Sequence, residues 1–218
     1  MEQKTFALKG NIIYTKERTR FEVMEQGWLV CEEGRVRDVY SVLPEELKGI
    51  PVEDMEDRLI IPGLTDLHIH APQYTFRSLG MDMELLEWLE TNTFPEESKY
   101  KDAEYAKKAY EMFAEQLKKS ATVRACIFGT IHNEATLILM DLLEEAGLHT
   151  MVGKVNMDRN SPDYLCEPSA EASAQATREW LKAVADRKYK NTRPILTPRF
   201  TPSCTDELME LLKEIQTE

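Results

Sequence analysis

The sequence predicts an α/β protein: a small β module over residues 1–60, then about four strand–helix units over 61–218, near half of a TIM-type (β/α) barrel. Three observations carry that expectation. Short β-prone runs broken by glycine turns fill the first sixty residues. Beyond them, apolar strand-like runs alternate with segments whose apolar residues recur at i, i+3 and i+4, the grammar of a parallel sheet covered by helices. Roughly 160 residues remain for this alternation, whereas a complete eight-unit barrel takes about 250. The alternatives are an open sheet or a piece of something longer. The last residues, Gln216-Thr217-Glu218, read as the inside of a helix, which favours the piece.

The elements follow in order. Phe6 to Tyr14 holds β-prone runs separated at Gly10-Asn11, read as a turn. Gly27 to Cys31 and Val36 to Tyr40 flank Glu33-Gly34, a hairpin signal. Leu59-Ile60-Ile61 leads through Pro62-Gly63 into a first barrel-type strand, Leu64 to His70. Helices are expected at Glu84–Thr91, where Leu85, Trp88 and Leu89 share a face, and at Ala103–Lys119. Then come a strand at Val123–Thr130, a helix from Glu134 to Ala146 stopped by Gly147, and a strand at Thr150–Val155. A helix at Ser169–Asp186 and a fourth strand at Pro194–Phe200 precede a final helix with Thr205 as its N-cap.

Composition bounds the partners. Hydrophobic residues at 42% are enough to bury a core, which argues against wholesale disorder. The formal net charge of −12 and the lack of any basic stripe argue against a nucleic-acid partner. No apolar run resembles a signal peptide or approaches the roughly 20 residues of a membrane helix, so no membrane partner and a cytoplasmic location are expected. Cys31, Cys126, Cys166 and Cys204 are scattered without a C-x-x-C pair and read as free thiols.

The chemistry concentrates at the end of the first barrel-type strand. Side chains two apart on a strand share a face, so His68 and His70 aim two imidazoles at one point. At the C-terminal end of a parallel strand, this is half of a metal site. Neutral imidazole suits zinc first, with iron or nickel accepting the same ligands. His132 reads as a hydrogen-bonded or core histidine. Its H-x-E with Glu134 lacks the downstream P-C-x-x-C of cytidine-type zinc deaminases. Trp88 and Phe94 either cover the pocket or pack in the core. His149 reads as solvent-facing and Lys118-Lys119 as a solvated helix face, while nothing activates Cys204 as a nucleophile.

Pro62-Gly63-Leu64 with Asp66-Leu67-His68-Ile69-His70 resembles the first-strand motif of the amidohydrolase superfamily of metal-dependent hydrolases. His70-Ala71-Pro72-Gln73-Tyr74 narrows the resemblance to its guanine deaminases. Leu86-Glu87-Trp88-Leu89, Thr93-Phe94-Pro95, Thr130-Ile131-His132, Gly153-Lys154-Val155 and Thr197-Pro198-Arg199-Phe200 agree in order. The resemblance covers essentially the whole chain and the first half of a family member. It implies a distorted TIM barrel with a small β-sandwich built from both chain ends; a homo-oligomer, a dimer, is expected besides.

In such enzymes His68 and His70 would ligate one zinc ion. The segment His70, Ala71, Pro72 and Gln73, together with Arg199 and Phe200, would line the guanine pocket. A glutamine amide offers donor and acceptor to a purine edge, and Arg199 offers a planar donor fork for O6 and N7. The implied reaction is hydrolytic deamination of guanine to xanthine and ammonia by a metal-bound hydroxide. The remaining ligands, an Asp and a proton-shuttling Glu are expected beyond residue 218, so no catalytic residue is assigned within this chain. Two further readings remain: an amidohydrolase acting on another purine, a pyrimidine or a triazine, and an inactive half-barrel that dimerises through its open sheet edges.

Overall fold

The computed structural model describes residues 5–218. The chain divides into two compact units, one running to Gly63 and the other Leu64–Glu218.

The first unit is built on a four-stranded sheet. Its strands are β1 (Phe6–Glu17), β2 (Arg20–Glu32), β3 (Arg35–Tyr40) and β4 (Val52–Ile60), in the order β3-β2-β1-β4. The β2–β3 hairpin closes with Glu32 opposite Arg35. Glu33 and Gly34 both take positive φ, at 50° and 73°, the conformation whose twist suits a two-residue hairpin loop. Gly10-Asn11 corrects the expectation: β1 runs straight through as one strand, with a register shift between Gly10 and Ile12. A Cβ on Gly10 would meet Ile60 Cδ1 and Met55 Cβ at 3.2 Å, so this glycine marks a bulge under a close neighbour instead of a turn. Ala7, Val30 and Leu47 form the unit's buried cluster, with Trp28 and Tyr40 packed against it.

The second unit holds a parallel sheet of β5 (Leu64–His70), β6 (Thr122–Phe128), β7 (His149–Gly153) and β9 (Thr192–Pro194), in that order. The short strands β8 (Val155–Asn156) and β10 (Thr197–Pro198) pair parallel to each other. The helices are α1 (Leu85–Trp88), α2 (Phe94–Ser98), α3 (Ala103–Lys119), α4 (Asn133–Glu145), α5 (Ala170–Arg187) and α6 (Asp206–Thr217). Capping sets their ends. Asp102 accepts from the Glu104 and Tyr105 amides, Ser169 from Ala172, and Thr205 from Leu208. Helix α4 ends at Gly147, φ 73°, with the Leu148 amide reaching back to the Leu143 carbonyl. Tyr110 and Phe113 of α3, Leu139 and Met140 of α4, and Ile127 and Val152 of the sheet form the main core.

Two elements differ from the expectation. The helix expected at Glu84–Thr91 is α1 followed by a π-turn at Leu89–Thr93 that runs on into α2. Pro95 has no N–H, and its ring would crowd the carbonyl of Thr91, so the regular ladder cannot pass this point. The expected fourth strand splits into β9 and β10. The two prolines at its ladder positions, Pro194 and Pro198, donate no hydrogen bonds, and the Thr197 hydroxyl turns to the Lys154 carbonyl at 2.8 Å. Among the described residues, no helix is long and apolar enough to cross a membrane.

Candidate functional site

A cavity of about 800 Å³ opens at the C-terminal ends of the parallel strands, lined among others by His68, His70, Gln73, Trp88, Arg199 and Phe200. Strand β5 delivers the two histidines. As the alternation of strand side chains requires, both lie on one side, and their Nε2 atoms come within 3.2 Å of each other. Phe128, at the end of β6, backs both rings, with centroids 4.8 Å from His68 and 4.7 Å from His70. The Asp66 carboxylate accepts from the backbone amide of His68 at 3.0 Å. Burial, with Arg199 and His68 acting in the same direction, pushes the His70 imidazole down to about 3, which keeps its lone pair free of a proton at neutral pH. Its buried Nδ1 has no hydrogen-bond partner.

After His70 the chain tightens into a 3₁₀ segment, Ala71–Phe76, with Ala71 and Pro72 buried. The buried Tyr100 hydroxyl donates to the Pro72 carbonyl at 3.1 Å and ties this segment down. Gln73 points its Nε2 at Glu97 Oε1, 3.3 Å away. Glu97, on α2, is almost fully buried and pairs through Oε2 with Arg199 Nη1. The Arg199 guanidinium also lies 5.4 Å from the centroid of the Phe94 ring, within cation–π range. Phe200, the next residue, is exposed at the cavity mouth.

Behind this wall is a second polar cluster. Lys154, wholly buried, pairs with Glu167. The other oxygen of Glu167 accepts from the Met157 amide at 3.1 Å and from the Ser173 hydroxyl at 2.5 Å. Asn156 donates to Ser173 and Thr177, both at 2.8 Å, and its carbonyl accepts the Arg199 amide at 3.2 Å. Burial pushes the Lys154 ammonium down, while Glu167 pulls it back up. Gly153 makes the arrangement possible: a Cβ there would fall 2.2 Å from the Thr197 side chain and 2.7 Å from the Ile195 carbonyl.

The structure thus gathers His68, His70, Gln73, Arg199 and Phe200 around one cavity, with Ala71 and Pro72 in its supporting turn. His132 is not among the lining residues. It precedes α4, and burial, helped by Lys101 and Lys154, holds its imidazole down to about 4. Trp88 lines the cavity and Phe94 is buried under Arg199. His149, Lys118 and Lys119 are exposed. Cys204 is buried, which raises its thiol's pKa. Sequence reasoning gave no role to Glu97, Glu167 or Asn156. An acid beside Pro95 in a helical stretch looks like a solvated one, and nothing local announces its distant partners. Among the described residues, no group of three His, Cys, Asp or Glu is placed to hold a metal ion. The two imidazoles do fit a metal as a pair of ligands, since their nitrogens converge and burial keeps His70 neutral.

The amidohydrolase family model matches residues 59–217. The guanine deaminase of Dictyostelium discoideum is 35% identical over 96% of this chain and 50% of its own length. The crystal structure of a guanine deaminase from C. acetobutylicum with guanine bound in its active site superposes with a TM-score of 0.91 at 42% identity, covering 98% of this chain and 50% of that one. An atrazine chlorohydrolase mutant from Arthrobacter aurescens, complexed with zinc and atraton, superposes at 0.73 with 14% identity, covering 97% of this chain and 50% of that one, a likeness of fold alone. The chain spans about half the length of the relatives it matches.

Proposed function

The chain belongs to the amidohydrolase family, and from that premise we propose that it carries the first half of a guanine deaminase site, four βα units of a half TIM-type barrel. The observation that supports this most is the convergence of the histidine pair and the Gln73–Glu97–Arg199 wall on one cavity. His68 and His70 would hold one divalent ion, zinc by the preference of neutral imidazole. Such an ion supplies Lewis acidity, which makes water nucleophilic at neutral pH.

The residues of the chain itself do the binding and orienting. Arg199 presents the remaining donors of its fork to the O6 and N7 acceptors of guanine, and Gln73 meets a donor on the same ring. Phe200 covers a face of the base from the cavity mouth, excluding water. The ordered turn under Ala71 and Pro72 holds the ring edge at the histidines, where C2 and its amino group would lie. Moving protons to and from the reacting atoms is assigned to a Glu and an Asp that this chain does not supply. The cytoplasmic location and a dimer belong to the same reading.

The test is binding first and chemistry second. Purified protein should bind zinc weakly, through two ligands, in a manner lost in His68→Ala, and guanine in a manner lost in Arg199→Ala. With the relatives' second half supplied in cis or in trans, guanine should yield xanthine and ammonia, and either substitution should abolish turnover. A complete assembly that deaminates a pyrimidine or a triazine and leaves guanine untouched would overturn the assignment in favour of another amidohydrolase.

A further inference from the structure

We propose that Glu97 is a positioning residue that sets the donor–acceptor polarity of the cavity wall, and so its preference for guanine over adenine. The proposal rests on the guanine reading above and adds a residue that touches no substrate. Glu97 is 1% exposed, and both of its oxygens are engaged, Oε1 by Gln73 Nε2 at 3.3 Å and Oε2 by Arg199 Nη1. A carboxylate only accepts hydrogen bonds. The end of the Gln73 amide that faces it must therefore be the NH₂ end, which leaves the carbonyl oxygen as the end free for a ligand. A glutamine without such a neighbour could turn its amide over and offer either end. Arg199 spends one N–H on Glu97 and keeps the others, with the Phe94 ring centroid 5.4 Å from its guanidinium carbon.

The wall thus presents an acceptor from Gln73 beside donors from Arg199. Guanine matches that order, with N–H groups at N1 and N2 and acceptors at O6 and N7. Adenine places a donor at N6 and an unprotonated nitrogen at N1, so each meets a like group.

Two measurements on the chain test this. The first needs no ligand: side-chain ¹⁵N NMR of the wild type should show the Gln73 amide and the Arg199 guanidinium exchanging hydrogen slowly. Free-amide exchange at Gln73 would overturn the proposal even if every Glu97 variant failed to fold. The second is equilibrium binding of guanine and adenine to wild type and Glu97→Gln, with circular dichroism as a check on folding. In Glu97→Gln the new amide can donate to Gln73 and let it turn over. Guanine affinity should then drop about tenfold, and the guanine-to-adenine ratio should narrow. A folded Glu97→Gln that keeps both affinity and ratio would refute the positioning role. Slow exchange in a wild type that binds no guanine would instead remove the guanine reading, and the specificity claim with it.

Discussion

Lys154 and His70 both sit on the strand ends of the Leu64–Glu218 unit, and both are driven towards neutrality by burial. Their surroundings differ. Lys154 meets Glu167, whose other oxygen is taken by a backbone amide and a serine hydroxyl. The one polar side chain against His70 Nε2 is another histidine, and its buried Nδ1 has no hydrogen-bond partner. A buried charge that lacks a partner costs several kcal/mol, so the first cluster cannot lose one partner without cost to the fold. The second has no counter-charge, and its two Nε2 atoms converge on the cavity. What separates the two is the counter-charge: Lys154 has a buried carboxylate against it, and the histidine pair has none.

That contrast can be broken from the scaffold side first. Lys154→Met leaves Glu167 buried without its cation and should cost about 3–5 kcal/mol in urea unfolding. Adding Glu167→Leu should recover part of the loss, because no charge is then stranded. A single variant as stable as wild type would mean that the pair is not structural. Gly153→Ala comes next. Its methyl would collide with Thr197 and the Ile195 carbonyl, and a loss of about 2 kcal/mol is expected from overpacking, read from the same unfolding curves.

A pH series sharpens the comparison. His132 titrates near 4 in the folded protein and near its ordinary value of 6.5 in the unfolded chain. Between those values the unfolded chain binds the extra proton, so stability should fall as pH drops from about 6.5 towards 4. His70 acts in the same direction. His132→Asn should flatten part of the slope, and an unchanged slope would show that its imidazole is not held neutral. The smallest effect on stability is expected at the site itself. His68 is exposed, so His68→Ala should change stability by no more than about 0.5 kcal/mol while abolishing zinc binding in equilibrium dialysis. A large loss of stability there would erase the distinction between the two clusters.

Much of this was legible in the amino-acid order because it depends on local geometry. The α3 boundaries, Ala103 to Lys119, follow from hydrophobic spacing, and those of β5, Leu64 to His70, from the apolar lead-in through Pro62-Gly63. The N-cap role of Thr205 follows from its hydroxyl at the head of an apolar-periodic run. The shared face of His68 and His70 follows from the two-residue repeat of a strand. Local reasoning failed where a neighbour from elsewhere decided the outcome. Gly10 reads as a turn until Ile60 and Met55 are seen beside it. The run from Pro194 to Phe200 reads as one strand until Thr197 is found against Gly153 and bonded to Lys154.

The sequence by itself therefore determined the alternation of strands and helices and the family motif at His68 and His70. The family model agrees with that reading over residues 59–217. Only the tertiary structure decided which side chains meet in the cavity wall. Arg199 and Glu97 are 102 residues apart in the chain, and Gln73 lies 24 residues before Glu97. No periodicity links positions so distant. They meet because the turn after β5, helix α2 and the end of β10 converge on one cavity, where a buried guanidinium must find a carboxylate.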